Sequence, residues 1–334
     1  MRVGYVGNFE PTHSTENHLT LALRSHGHDV IPLQENHEAT WTTLLDPEPL
    51  GLDFVLWTRT WHLPEFPQSE ALSALDEHDV PTVAYHLDRW WGLDREHQVE
   101  TEPYFGCDVV CTAEGGVPDL WAHAGVRHEW YPPGVLGSLA TVGRPNRRWF
   151  CDVAFVGSHR SYHVEWPWRA RMTRWLRQTY RGRVRLFPQH PSQAVRGEPL
   201  ADLYASTKVV VGDSCLAPYP ALDYTGEMIP AAVPCSRYWS DRVPETLGRA
   251  GFLLHPWVEG IEDHFTDGEH LVLVEPESFE SLSKAIDWWT DDAHRAERDR
   301  IRHAGRAHVL EHHTYEQRMA GIVELLIDHG RVAA

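Results

Sequence analysis

The sequence predicts an α/β protein of two Rossmann-like domains, each a parallel sheet covered by helices on both faces. Three observations carry that reading. Short apolar runs alternate with helical stretches along the whole chain, the pattern of successive βα units. The strand candidates are brief and apolar, as strands buried on both faces are. The length of 334 residues, 42% of them hydrophobic, supplies two cores of ordinary size.

Arg2–Gly7 reads as the first strand, and Ser14–His26 as a helix carrying Leu19, Leu21 and Leu23. His28–Pro32 and Asp53–Trp57 are expected strands, followed by a helix over Ser69–Glu77. Pro81–Tyr85 is an expected buried strand that opens into HLDRWW. Asp108–Cys111 follows, with a helix expected over Val117–Ala124. Residues 131–150, rich in Pro, Gly and Arg, read as a linker. A new βα unit begins at CDVAFVGSHRSY, and strands are expected at Val184–Phe187, Val209–Gly212, Gly251–Leu254 and Leu271–Val274. Helices are expected at Pro167–Tyr180, Leu200–Ser206, Ser278–Trp289 and His294–Glu311, and a last one at Tyr315–Ile327. The expected division is a first domain over 1–135, a linker over 136–150, a second domain over 151–313 and a terminal helical segment over 314–334.

The formal net charge of −18 is unevenly placed. Residues 1–140 hold 22 acids against 6 Arg and no Lys, a balance of −16. Such a surface favours solubility and a neutral or basic partner. It disfavours duplex DNA, because phosphate contacts need Lys and Arg. The chain has no apolar run of the length a membrane span requires, and its start lacks the shape of a signal peptide. The five cysteines are scattered, with no CxxC pair, so neither a disulfide framework nor a zinc site is expected. A reducing cytoplasm is the compartment this implies.

Four stretches offer chemistry. In DVAFVGS, Gly157 and Ser158 form a turn after a strand, where bare backbone can approach a phosphate, and Arg160 is placed to clamp a diphosphate. In SDRVPE, Ser240 is a good helix N-cap, Pro244 suits a first turn, and Arg242 adds charge at the helix start. In AYHLDRWWG, His86 and Asp88 leave a buried strand where open parallel sheets hold ligands, and Trp90 and Trp91 offer platforms for a sugar ring. In the first loop, His13 and Glu16 are candidate general bases for an acceptor hydroxyl. The dinucleotide fingerprint GxGxxG, the P-loop, GxSxG, HExxH and a DxD before an apolar strand are all absent, so no metal-ligating residue is assigned. HHTY at 312–315 reads as a helix end.

The run SDRVPETLGRAGFLLHPWVEGIEDHFTDGEHLVLVEP, residues 240–276, sets Arg242 and Glu245 three apart, then Gly251 with an apolar FLL, then a loop ending in DGE. It resembles the spore-maturation (CgeB-like) branch of the GT-B glycosyltransferases of the group 1 type, whose pattern is roughly S-x-R-x-x-E, small residues, G-F-L-L, then D/N-G-x-E. The resemblance is good over 150–320 and looser before. Similar proteins also carry D-V-x-F-V-G-S at the start of the second domain, and some are phage-encoded.

The resemblance implies a GT-B fold, two facing Rossmann-like domains with parallel sheets, and transfer of a sugar from a nucleotide-sugar donor to a hydroxyl acceptor without a metal. The donor, a UDP- or GDP-sugar acting as co-substrate with no separate cofactor, would lie on the second domain, against Gly157, Ser158, Arg160, Arg237, Ser240, Arg242 and Glu245. In the wider group a Glu at the place of Glu245 takes the ribose hydroxyls, and another stands eight residues earlier. Here that place is Arg237, a departure that touches the sugar contact. The acceptor, a protein, glycan, small molecule or modified nucleobase with the protein or small molecule favoured, would meet the donor from the first domain, and the last helix would return toward that domain. If configuration is retained, His86 and Asp88 shape the sugar pocket. If it is inverted, His13, Glu16 or Asp88 serves as base. Two rival readings share the fold: a nucleotide- or sugar-binding module without catalysis, and a GT-B-like sugar epimerase.

Overall fold

The structure is a computed structural model that describes residues 1–93, 95–159, 167–189, 194–213, 237–328, 330 and 332. Its chain divides into two compact units. The first holds Met1–Trp90, Asp94–Pro132 and Tyr315–Ala334, and the second holds Trp91–Leu93 and Pro133–Thr314.

In the first unit β1 (Arg2–Gly7), α1 (Thr15–Ser25), β2 (Asp29–Gln34), α2 (Glu38–Leu44), β3 (Phe54–Trp57), α3 (Gln68–Glu77), β4 (Thr82–His86), α4 (Gln98–Thr101), β5 (Val109–Thr112), α5 (Pro118–His123) and β6 (His128–Trp130) follow in turn. The strands form one sheet in the order β2-β1-β3-β4-β5-β6, parallel throughout. β3, β4 and β5 are buried at every residue, which is why they read as unbroken apolar runs. α1 begins where Ser14 accepts a hydrogen bond from the Asn17 amide, an N-cap worth about 1 kcal/mol. Of its three leucines, Leu19 and Leu23 are buried while Leu21 faces solvent.

Three elements of this unit, α2, the four-residue α4 and β6, escape a reading of local pattern. α2, EATWTTL, has three Thr and a Trp among its seven residues, all of modest helix propensity, and no side-chain cap bond. It is held by Trp41, which is buried and donates its indole N–H to the Glu35 carbonyl at 2.8 Å. β6 is only three half-buried residues, His-Glu-Trp, at the sheet edge, where short polar strands are common.

The second unit contains β7 (Cys151–Val156), α6 (Pro167–Thr179), β8 (Val184–Phe187), α7 (Gly197–Ala205), β9 (Thr207–Val211), α8 (Arg242–Gly248), β10 (Leu253–Pro256), β11 (Val272–Val274), α9 (Phe279–Thr290) and α10 (Arg295–His312). Its sheet runs β11-β10-β9-β7-β8, again parallel. Phe155, Leu176, Phe252, Leu254 and Ile286 are at the centre of its core. The stretch read as a linker carries one 3-10 turn at Gly137–Leu139 and a bridge from Val135 to Thr314.

The last helix, α11 (Tyr315–Asp328), belongs to the first unit and packs on α1. His26 Nε2 lies 2.9 Å from the Glu316 carbonyl, and Arg318 donates to the Pro132 carbonyl at 2.7 Å. Met319, Ile322 and Leu326 are buried, each contributing roughly 1.5–3 kcal/mol. Among the described residues no helix is long and apolar enough to cross a membrane.

Both sheets are doubly wound. The strand order reverses between β1 and β3 in the first, and between β7 and β9 in the second. Ligands of open α/β sheets bind beyond the carboxyl ends of the strands at such a reversal.

Candidate functional site

In the second unit the register pairs Ala154 with Val210. Carried three residues on, it sets Gly157, just past β7, beside Asp213, just past β9. Asp213 is buried at 2% exposure and stands between two arginines. Its Oδ2 accepts from Nε of Arg169, on α6. Its Oδ1 accepts from Arg242 Nη1, on α8, at 3.2 Å. Arg169 is itself buried and donates from Nη1 to the Ser158 carbonyl at 3.1 Å. Arg242 keeps about a quarter of its side chain exposed. Its charge is secure: burial opposes it, but Asp213 and Asp241, with Tyr238 and Tyr204, together more than offset that, and the net shift is upward.

Gly157 is needed here for space. A Cβ on it would sit 2.7 Å from Arg242 Nη1 and 3.2 Å from the Phe155 ring. Ser240 does not cap α8. The helix starts at Arg242 with Asp241 as cap residue and without a side-chain cap bond. The Ser240 hydroxyl instead accepts from Arg242 Nε at 3.3 Å, so it aims the guanidinium. His255, at the end of β10, donates from Nδ1 to the Pro256 carbonyl at 2.7 Å. Burial brings its pKa down to about 4, so the ring is neutral at neutral pH.

Gly157, Ser158, Ser240 and Arg242 are thus brought together around Asp213. Glu245 lies one turn into α8 and pairs with the Arg249 guanidinium. Burial raises its pKa, with Arg249 opposing. Arg237 is held at another turn, where its amide donates to the Glu259 carbonyl at 2.6 Å and its Nη2 meets Asp263 at 3.3 Å. Arg160 lies outside the described residues.

The first unit gathers its candidates at the carboxyl edge of its sheet. Glu16, on α1, is buried and accepts from Thr60 Oγ1 at 3.1 Å. It lies so close to Gly7, the last residue of β1, that a Cβ there would come within 2.6 Å of its Cγ. His13 is exposed on the loop before α1, its ring 6.4 Å from that of His18. His86 ends β4, and its Nδ1 accepts from the Asp88 amide at 3.0 Å. Burial lowers its pKa to about 4, so the neutral ring carries its proton on Nε2 and offers a donor there. Asp88 is exposed beside it.

Trp90 is not the platform its position suggests. It is 1% exposed, packed edge-on to His86 at 4.9 Å and covered by Arg59 and Arg95 at 5.4 and 5.1 Å from its ring. Two guanidiniums over one indole make it core. Trp91 is half-buried. The same strand exit is fixed by a buried pair, Arg89 Nε with Glu114 Oε1 at 3.1 Å, while Glu114 Oε2 takes the Trp90 amide at 2.8 Å.

Asp213, Arg169, Glu114 and Glu35 carry these two edges, and local sequence does not mark them. Glu35 is fully buried just past β2. It accepts from the Thr60 amide at 2.9 Å, the Trp61 amide at 3.4 Å and the Trp57 indole at 3.3 Å. Burial raises its pKa to about 7, against those bonds.

These groups set a pH dependence of stability. His86 and His255 take up a proton near pH 6.5 when unfolded but only near 4 when folded. Their contribution is whole above pH 6.5 and is lost as pH falls toward 4, at about 1.4 kcal/mol per pH unit each. His128, also lowered to about 4 by burial, acts in the same sense. Glu35 acts oppositely between about 4.5 and 7, holding its proton in the fold. The sum is a net loss on acidification of about 1.4 kcal/mol per pH unit or more. Urea midpoints should therefore fall from pH 6.5 to 4.5, and more steeply in Glu35→Gln. A flat or rising profile would refute the assignment of neutral buried imidazoles.

Two doubly wound parallel sheets in one chain are the architecture of the GT-B class of fold. Solved glycosyltransferase structures share it. Anabaena HepE in complex with UDP and glucose is 11% identical with a TM-score of 0.58, over 98% of this chain and 100% of that one. Sucrose-phosphate synthase from Thermosynechococcus elongatus is 11% identical with a TM-score of 0.59, over 98% and 100%. The apo structure of OtsA is 10% identical with a TM-score of 0.60, over 97% and 98%. At such identities the likeness is one of fold. The glycosyl transferase-like family pattern matches residues 142–324, more than half of the chain, and the chain belongs to that family. No curated protein matches it in sequence.

Proposed function

We propose that this chain transfers a sugar from a nucleoside diphosphate sugar, UDP- or GDP-linked, to a hydroxyl acceptor, without a bound metal ion. The observation that carries the reading is the Arg169–Asp213–Arg242 cluster beside Gly157. When the bond from sugar to diphosphate breaks, negative charge gathers on the leaving oxygens. A fixed guanidinium in a partly desolvated site stabilises that charge. Arg242 is that group, with Gly157 leaving room for the phosphates to approach. Arg169 acts through Asp213 and positions Arg242. Glu245, anchored by Arg249, takes the ribose hydroxyls. The complex of HepE with UDP and glucose supports a uridine nucleotide as the leaving half.

The first unit supplies the acceptor-side groups. His86, neutral and with Nδ1 occupied, donates from Nε2 to a sugar or acceptor oxygen. Exposed Asp88 and buried Glu16 are the carboxylates available as base, with His13 on the loop between. The acidic first 140 residues favour a neutral or basic acceptor, a protein or small molecule, over duplex DNA. The SDRVPE and GFLL motif words support a reading within the CgeB-like branch, some of whose members are phage-encoded. Cys107, Cys111 and Cys151 are free thiols, which suits the cytoplasm. Arg237, standing where the wider family has Glu and engaged with Asp263, favours a second reading as a binding module without turnover.

A panel of UDP-, GDP- and TDP-sugars, assayed for nucleotide release with and without excess EDTA, separates these. We expect one donor to turn over at a rate EDTA leaves near its untreated value. Binding without turnover would select the module. Loss in EDTA restored by Mn²⁺ or Mg²⁺ would reject metal independence, and free sugar inverted at C2 would select the epimerase.

A further inference from the structure

The second unit holds a cavity of about 470 Å³ at the opposite edge of its sheet from Gly157 and Asp213. It is lined by Cys151 and Asp152 at the start of β7 and by Thr207 and Lys208 at the start of β9. A six-residue strand separates the two edges, roughly 20 Å at about 3.3 Å per residue. The volume suits a small metabolite.

Its lining is cationic in a chain of net charge −18. Arg183, Lys208, Arg295, Arg298 and Arg302 face three aspartates. Each aspartate is already shared. Asp152 meets Arg183 at 2.7 Å and Lys208 at 3.6 Å. Asp292 meets Lys208 at 2.8 Å and Arg298 at 3.9 Å. Asp299 meets Arg295 and Arg302, both at 3.8 Å. Two positive charges remain in excess. Arg302 is mostly buried; its Nη2 donates to the Thr207 and Lys208 carbonyls, and its buried Nε is without a partner among the described residues. Burial brings its pKa down to about 10, as befits a cation with too little countercharge. Phe150, 54% exposed, stands in the lining as an apolar ring surrounded by charge.

A group of two negative charges with several acceptor oxygens would balance the excess. We propose that this cavity is a second binding site, separate from the nucleotide-sugar site, for a phosphorylated small metabolite. Its phosphate monoester lies among Lys208, Arg295 and Arg302, and its ring lies against Phe150.

The test is calorimetric titration of the full chain with inorganic phosphate, a hexose 6-phosphate and AMP, each with and without UDP. We expect at least one monoester to bind with a Kd below about 1 mM, tighter than inorganic phosphate and indifferent to UDP. Sugar phosphate against AMP distinguishes a sugar from a nucleoside as the ring. Lys208→Gln/Arg295→Gln should weaken that binding about tenfold or more and leave the affinity for UDP unchanged. Should the double variant fail to fold, Arg295→Gln alone, at a largely exposed side chain, should still weaken it about threefold or more. Phe150→Ala should weaken the monoester but not inorganic phosphate. Absence of binding, competition by UDP, or unaltered affinity in the variants would overturn the proposal. Failure of UDP itself to bind would count against the donor reading alone.

Discussion

Arg242→Ala is expected to lower kcat/KM for sugar transfer by about 10²–10³-fold, the loss usual when one donor aimed at developing charge is removed. The guanidinium is held from two sides, by Asp213 Oδ1 at 3.2 Å and the Ser240 hydroxyl at 3.3 Å. It therefore needs no reorganisation when the diphosphate departs. Arg242→Lys keeps the charge but loses the fork, and should fall between the two. The fold should survive, because Asp213 keeps Arg169. Initial rates over a range of donor concentration, with a denaturation curve as control, give the answer. An Ala variant with parental kcat/KM would remove Arg242 from the reaction.

Asp213→Ala is expected to destabilise the second unit by about 3–5 kcal/mol, the cost of leaving a buried charge without its partner. Arg169 is only 5% exposed, and it would lose the carboxylate at Nε while keeping the Ser158 carbonyl at Nη1. Asp213→Asn retains an acceptor but not the charge, and should cost less. Arg169→Met/Asp213→Leu, which removes both charges, should recover much of the stability while transfer stays lost, because Arg242 is no longer aimed. Urea denaturation of the three variants reads this directly. A loss below about 1 kcal/mol for Asp213→Ala would mean that Arg169 finds water instead.

Much of the fold is legible in the sequence because parallel strands are buried on both faces. FVLW, TVAYH and VVCT are largely apolar, and their shortness and their Val, Thr and aromatic residues mark them as strands rather than buried helix. The turn after β7 is also legible, because Gly157 marks a place where a side chain would collide. Weak elements were not. α2 exists because Trp41 has a socket, and β6 because a sheet edge accepts three polar residues. Trp90 carries the opposite lesson. An indole after a strand looks like a sugar platform until Arg59 and Arg95 are seen to cover it.

By itself, then, the sequence determined the α/β class, the apolar strands and the Gly157–Ser158 and Ser240–Arg242 segments, since each depends on neighbours a few residues away. Only the tertiary structure decided what those segments do. Arg169 and Asp213 are 44 residues apart, and Asp213 and Arg242 are 29 apart. They meet because the register of β7 against β9 sets Gly157 beside Asp213, while α6 and α8 each bring an arginine to it. No period or spacing encodes such a meeting, because it arises from the sheet's hydrogen bonds rather than from the side chains that profit from it. The same register sets Asp152 and Lys208 side by side at the other edge, and so builds the cationic cavity from residues that look, in sequence, like ordinary surface charge.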